Sequence, residues 1–399
     1  AGAHDPNEMR PSVHGDVVHS QPVAIDYNAD PTNPEVVVFY GANDGMLRAI
    51  NGNQDGVGQS QGSVGPGYEF WSFMPPEFYG SIKRLRENTP NVIFPASGPT
   101  AGEGVKGTAK DYGMDGPLTM HQMDTDGDGD IDVLDERLLF AGMRRAGRVL
   151  YAFDVSDKTQ PEMQWKVGCP NLDDDLGCTP TTDDDWERIG QTWSRATTTY
   201  AESYTDVDGL RPLLLVGGGY DNCEDEDSGA GASPEINNSC SSTKGNLVYL
   251  LDARTGAVVN TFATDRAVPG QVTVVPISDN SPLIMFAYVA DMGGNIYRIS
   301  GDADPTDDSD NTPIAIGDED PADWQITKIA SLGCATTAAC DANRKFLFAP
   351  DVVRIPNTNL LGVLIGSGDR EKPLRDYSAT LEVPNYFFSI VDDPTNASW

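Results

Sequence analysis

The chain has 399 residues, with 61 acidic side chains against 27 basic ones and a formal net charge of -34. Such a surface repels nucleic-acid phosphates and anionic lipid headgroups, which excludes both as expected partners. No apolar run reaches the roughly eighteen residues needed to cross a bilayer, so no membrane span is expected. The 41 glycines and 28 prolines suit a turn-rich β protein better than a helical one. The opening AGAHDPNEMRPS has neither a basic nor an apolar leader region, so the chain reads as a mature form or a piece of something longer.

In chain order, short runs rich in Val, Ile, Leu, Tyr and Phe recur between turn residues: PEVVVFYGAN, GRVLYAFDV, RPLLLVGGG, GNLVYLLDA, PLIMFAYVAD, GNIYRIS and LLGVLIGSG. They read as strands. Two stretches have helical spacing, EFYGSIKRLREN and VLDERLLFAGMRR. YGANDGMLRAING, GRVLYAFDVSDKTQ, GNLVYLLDARTGAVVNTFA and DMGGNIYRISGD share one theme: a small turn, a strand, Asp or Asn, and another turn. That is how successive strands of a propeller blade read. The expected fold is therefore an all-β, modified β-propeller forming a single domain over residues 1–399. Segments of roughly 45–60 residues imply about seven blades with decorated loops.

The stretch DTDGDGDIDVLDE starts at Asp124 and holds seven carboxylates. Asp124, Asp126 and Asp128 stand at positions 1, 3 and 5, Gly129 at 6, Ile131 at 8, Asp132 at 9 and Asp135 at 12. This is the EF-hand-like calcium pattern: odd positions turn carboxylates toward one ion, and the glycine permits the sharp bend. Asp130 at position 7 would offer its backbone carbonyl, and Ile131 would anchor the loop. Asp at position 12 is one methylene shorter than the usual Glu. An all-oxygen set without Cys or His favours Ca2+ over zinc. With a helix expected after it and a broken segment before it, the loop reads as half of a hand set in a β scaffold. The other acidic stretches, around Asp206 and Asp208 and from Asp304 to Asp310, lack the glycine and apolar markers and read as solvated loops.

The six cysteines fall as local couples in polar loops: Cys169 with Cys178, Cys223 with Cys240, and Cys334 with Cys340. None has metal-site spacing, so three loop disulfides and an oxidising compartment are expected. His4, His14, His19 and His121 form no recognisable triad or metal motif. No nucleophile elbow, zinc-protease helix or phosphate loop occurs, so the sequence makes no case for catalysis.

VHGDVVHSQPVAI, YGANDGMLRAING, EFWSFMPPEFYG, AGMRRAGRVLYAFDV, LLVGGGYDN, VYLLDARTGAVV, VADMGGNIYRIS, FAPDVV and IGSGDREKP follow one another in a specific order. In that order they resemble the C-terminal propeller domain of the PilY family, the type IV pilus tip-associated adhesins. The resemblance implies a bacterial protein exported through the periplasm and displayed outside the cell at a pilus tip. It implies a non-enzymatic role in pilus biogenesis, surface attachment and twitching motility. The implied partners are minor pilins of the tip complex and a host or abiotic surface ligand. It assigns Asp124, Asp126, Asp128 and Asp132 as side-chain calcium ligands and Asp130 as a carbonyl ligand, with Asp135 extending the family's shorter loop. Family members carry a von Willebrand A-like region upstream, which this chain lacks, implying a processed or truncated form. No Arg-Gly-Asp tripeptide supports integrin binding. Two other classes stand beside this reading. One is a secreted, calcium-dependent glycan-binding propeller. The other is a quinoprotein-type dehydrogenase, which LDARTGAVVNTF resembles without the repeat's usual Trp.

Overall fold

The computed structural model describes residues 15–28, 32–54, 60–87, 89, 91–92, 107–108, 110–125, 131, 135–180, 186–207, 209–225, 240, 242–301, 315–317, 319–333, 343–370 and 383–396, with backbone only at 91–92 and 107–108. Its strands form a series of antiparallel sheets laid out along the chain. The first sheet joins Val23–Asp26, Val36–Gly41, Leu47–Asn51 and Glu69–Phe73. The second joins Leu118–Met123, Glu136–Ala141, Arg148–Asp154 and Glu162–Cys169. The third joins Thr197–Thr199, Leu213–Gly217, Leu247–Asp252 and Val258–Ala263. The fourth joins Thr273–Pro276, Ile284–Ala290, Asn295–Ser300 and Gln325–Ser331. The fifth has three strands, Asp351–Arg354, Leu361–Gly366 and Phe387–Asp392. In each, neighbours pair in chain order. This meander is the blade of a propeller, and the all-β propeller reading is borne out.

The cores lie between consecutive sheets. Leu138 and Phe140 face Leu214 and Tyr249 in one cluster, while Leu139 and Ala141 face Phe39 and Leu47 in another. Leu213, Leu215, Val248 and Leu250 point the other way, toward Ile284, Val289 and Ile299. Phe286, Tyr288 and Ile296 of the fourth sheet meet Leu361, Val363 and Ile365 of the fifth. Successive side chains of a strand leave opposite faces, so a strand with a core on each side needs an unbroken apolar run. Each fully buried Leu or Val contributes about 1.5–3 kcal/mol relative to exposure, which pins the register strongly on both faces.

That rule corrects one expectation. The helix expected over VLDERLLFAGMRR is absent: Glu136–Ala141 is a strand paired on both sides, and Arg137–Ala141 are all buried. The apolar run serves two cores by alternation, not one core by a helical stripe. The other helix is present but short, Ile82–Glu87 after a 3₁₀ turn at Pro76–Ser81. Among the described residues five sheets have three or four strands, and two more have two. Inserts between strands lengthen the chain used per sheet, as with the Thr205–Asp206 and Gly209–Leu210 hairpin inside the third.

The recurring Asp or Asn has a structural reason. Asn51, Asp154 and Asp252 each end the third strand of their sheet. Their side chains accept the backbone N–H of Asn53, Ser156 and Arg254 at 2.9, 2.8 and 3.1 Å. These are Asx turns that start the hairpin to the fourth strand. Before the third strand, Asp44 and Asp291 play a similar part. Gly45 (φ +86°) and Gly294 (φ +78°) follow them in the left-handed region that glycine alone enters freely.

Two of the expected disulfides are present, Cys169–Cys178 and Cys223–Cys240. Cys334 and Cys340 lie outside the described residues. Among the described residues no helix is long and apolar enough to cross a membrane.

Candidate functional site

The acidic stretch is the loop of the first hairpin of the second sheet. Met123 pairs with Glu136, so residues 124–135 bridge the ends of two strands, with no helix on either side. Asp126, Asp128, Asp130 and Asp132 lie outside the described residues; Asp124, Thr125, Ile131 and Asp135 lie within them.

Asp135 is buried, 2% exposed. Its Oδ1 accepts the backbone N–H of Thr125 at 2.6 Å, and the Thr125 hydroxyl accepts the N–H of Glu136 at 3.2 Å. These bonds close the neck of the loop. Arg137 donates from Nη2 to the carbonyl of Ile131 at 3.1 Å, and its guanidinium lies 4.6 Å from the centre of the Tyr27 ring. A buried cation thus fixes the return limb by the backbone of Ile131. Its positive charge offsets part of the repulsion that seven acids in thirteen residues create.

The residues present fit a hard divalent cation. The stretch offers only oxygen donors, and the described neck already brings positions 2 and 12 together. One oxygen of Asp135 is engaged by Thr125, which disfavours the bidentate role of an EF-hand Glu at position 12. Asp135 acts as the clasp of the loop.

Beside the neck is a cavity of about 440 Å³ lined by His121, Met123, Asp124, Thr125, Tyr200 and Leu210, among others. The Tyr200 hydroxyl lies 2.9 Å from His121 Nε2. Burial, and then the charge of Arg254, hold the His121 imidazole down at about 4. Arg254 itself bridges Glu136 at 3.0 Å and Asp206 at 3.2 Å. Asp206, read from sequence as a solvated acid, is therefore part of an ion-pair network; Asp208 and Asp304–Asp310 lie outside the described residues.

A second cluster was not legible in the sequence. Arg144, Arg195 and Arg370 line one cavity of about 470 Å³ together with His19, Trp193 and Phe348. They are far apart in the chain, and no local motif marks them.

The fold is that of a decorated β-propeller, rich in acid and cross-linked within its loops. No family model matches the sequence. The chain is homologous to the type IV pilus biogenesis factor PilY1 of Pseudomonas aeruginosa. It is 21% identical to PilY1 of strain UCBPP-PA14 over 389 residues, which is 90% of this chain but 27% of that protein. The chain thus spans about a quarter of the length of the relatives it matches. Among solved structures, the crystal structure of the P. aeruginosa PilY1 C-terminal domain superposes with a TM-score of 0.49 at 18% identity, covering 84% of this chain and 53% of that one. A quinohemoprotein alcohol dehydrogenase from Pseudomonas putida superposes with a TM-score of 0.38 at 13% identity, covering 88% and 46%.

Proposed function

We propose that this chain is a non-enzymatic, calcium-binding module of a type IV pilus-associated adhesin and biogenesis factor. The observation that carries the reading is the sequence relationship to PilY1 along 90% of the chain. In this reading Asp124, Asp126, Asp128 and Asp132 hold Ca2+ by their side chains and Asp130 by its carbonyl, while Asp135 and Arg137 shape the loop. The ion would offset part of the loop's negative charge and stiffen the hairpin that carries it. The module works outside the cell at the pilus tip, where it meets minor pilins and a surface ligand, and it supports attachment and twitching motility.

Calorimetric titration with calcium tests the site. One saturable binding event is expected for the natural chain and none for the Asp124→Ala, Asp128→Ala double variant, with both melting alike in the absence of calcium. In cells depending on the full-length protein, the double variant is expected to shrink the twitching zone. Equal calcium heats in the two proteins would discard the metal site. Normal piliation, attachment and twitching in cells lacking the protein altogether would discard the pilus role.

A further inference from the structure

Each of the five sheets delivers to one cavity the segment beside or before its first strand. Val18–Gln21 come from the first, Pro117 from the second, Arg195 from the third, Pro269–Gln271 from the fourth and Leu347–Ala349 from the fifth. Arg144 reaches it from the turn after the second strand of the second sheet, and Arg370 from beyond the second strand of the fifth. The cavity therefore lies where the sheets converge. Its volume of about 470 Å³ falls in the range of small-molecule sites.

Its charge is the inverse of the chain's. Acidic residues outnumber basic ones more than twofold overall, yet the described lining holds three arginines and no Asp or Glu. Among the described residues neither Arg195 nor Arg370 has a carboxylate within ion-pair distance. The guanidiniums are also braced by rings. Arg144 lies 3.9 Å from the centre of Trp193, which stacks at 4.0 Å on Tyr220, and Arg370 lies 5.6 Å from the centre of Phe348. Trp193 is fixed in turn by donating from Nε1 to Gln191 Oε1 at 3.0 Å. Arg144 has φ +53°, a left-handed backbone in which a residue with a Cβ is strained. Strain of this kind persists where the surroundings hold a side chain in place. The planar donor fork of arginine matches carboxylate and phosphate oxygens two at a time.

We propose that this cavity binds a small multivalent oxyanion, one with at least two carboxylate or phosphate groups, between Arg144, Arg195 and Arg370. A polymeric anion is disfavoured by the chain's net charge of -34, which a small ligand meets less of once inside.

Titration of the natural chain with citrate and with pyrophosphate, free calcium held constant, tests this. Saturable binding of one of them is expected, and the anion preferred tells carboxylate from phosphate recognition. Arg144→Asn and Arg370→Gln are each expected to weaken it at least tenfold, and Lys83→Gln, an exposed charge on the helix, to leave it unchanged. Asn tolerates the left-handed backbone, so Arg144→Asn is expected to melt no lower than the natural chain. Absence of saturable binding for both anions would overturn the proposal, as would equal affinities in all four proteins.

Discussion

Asp392→Ala is expected to destabilise the fold by about 3–5 kcal/mol, because it strands a buried arginine without its counter-charge. Asp392 ends the last strand and is fully buried. Both of its oxygens lie 2.8 Å from Arg298 Nη1, and the Tyr288 hydroxyl donates to Oδ2 at 2.6 Å. Burial first, and then the Asp392 charge, push the Tyr288 hydroxyl far above its usual range, so it stays a donor at any ordinary pH. Arg298 and Tyr288 belong to the fourth sheet, and Asp392 clamps the fifth onto it. Replacing the pair by apolar residues, Arg298→Met with Asp392→Leu, is expected to cost far less than either truncation alone, since no charge is then left unpaired. Denaturant unfolding of the singles and the double reads the difference. A single variant losing less than about 1 kcal/mol, within the range of exposed pairs, would show that the clamp is not buried in solution.

Acidification from pH 7 to 4 is expected to remove about 3 kcal/mol of stability through His121 alone. Its imidazole titrates near 4 in the fold against an ordinary 6.5, held down by burial and by Arg254. The unfolded chain therefore takes up a proton that the folded chain refuses. Stability from this group is fully present above pH 6.5 and is lost as pH falls toward 4. Asp115 acts in a lower window. Burial raises its pKa, but the His19 ring and the backbone N–H groups of His19 and Val18 outweigh that and bring it to about 2. Its contribution persists above an ordinary 3.8 and fades only below. His121→Gln, which keeps an acceptor toward Tyr200, is expected to flatten the stability profile between pH 6.5 and 4 and leave the lower limb intact. An unchanged slope in that variant would assign the acid sensitivity to other groups.

Much of the fold was legible because its strands are marked locally, by β-branched and aromatic runs bounded by Gly, Asn and Asp. The turn carboxylates of Asp154 and Asp252 were visible as a repeat, and two cysteine couples were visible as short loops. What misled was period. An apolar run buried on both faces gives no alternation, so Glu136–Ala141 read as helix. The acidic loop was legible from spacing alone, whereas its buried clasp, Asp135 with Thr125, and its cation, Arg137, depend on pairing across the hairpin. The arginine cavity was invisible for a stronger reason: residues 144, 195 and 370 become neighbours only when separate sheets meet.

The layout of shared cores also decides how damage spreads. The second, third and fourth sheets each have a core on both sides, while among the described residues the first and fifth are each joined to one neighbour. Among the described residues these cores are separate clusters, and each sheet is propped by the one beside it. A lesion in the second, third or fourth sheet loosens two described cores at once. The fifth sheet has three strands and an outer strand that leaves Phe387 and Val391 exposed. A pull on the strand Phe387–Asp392 from its C-terminal side would meet the Asp392 clamp first, making that ion pair the mechanical latch of the fifth sheet.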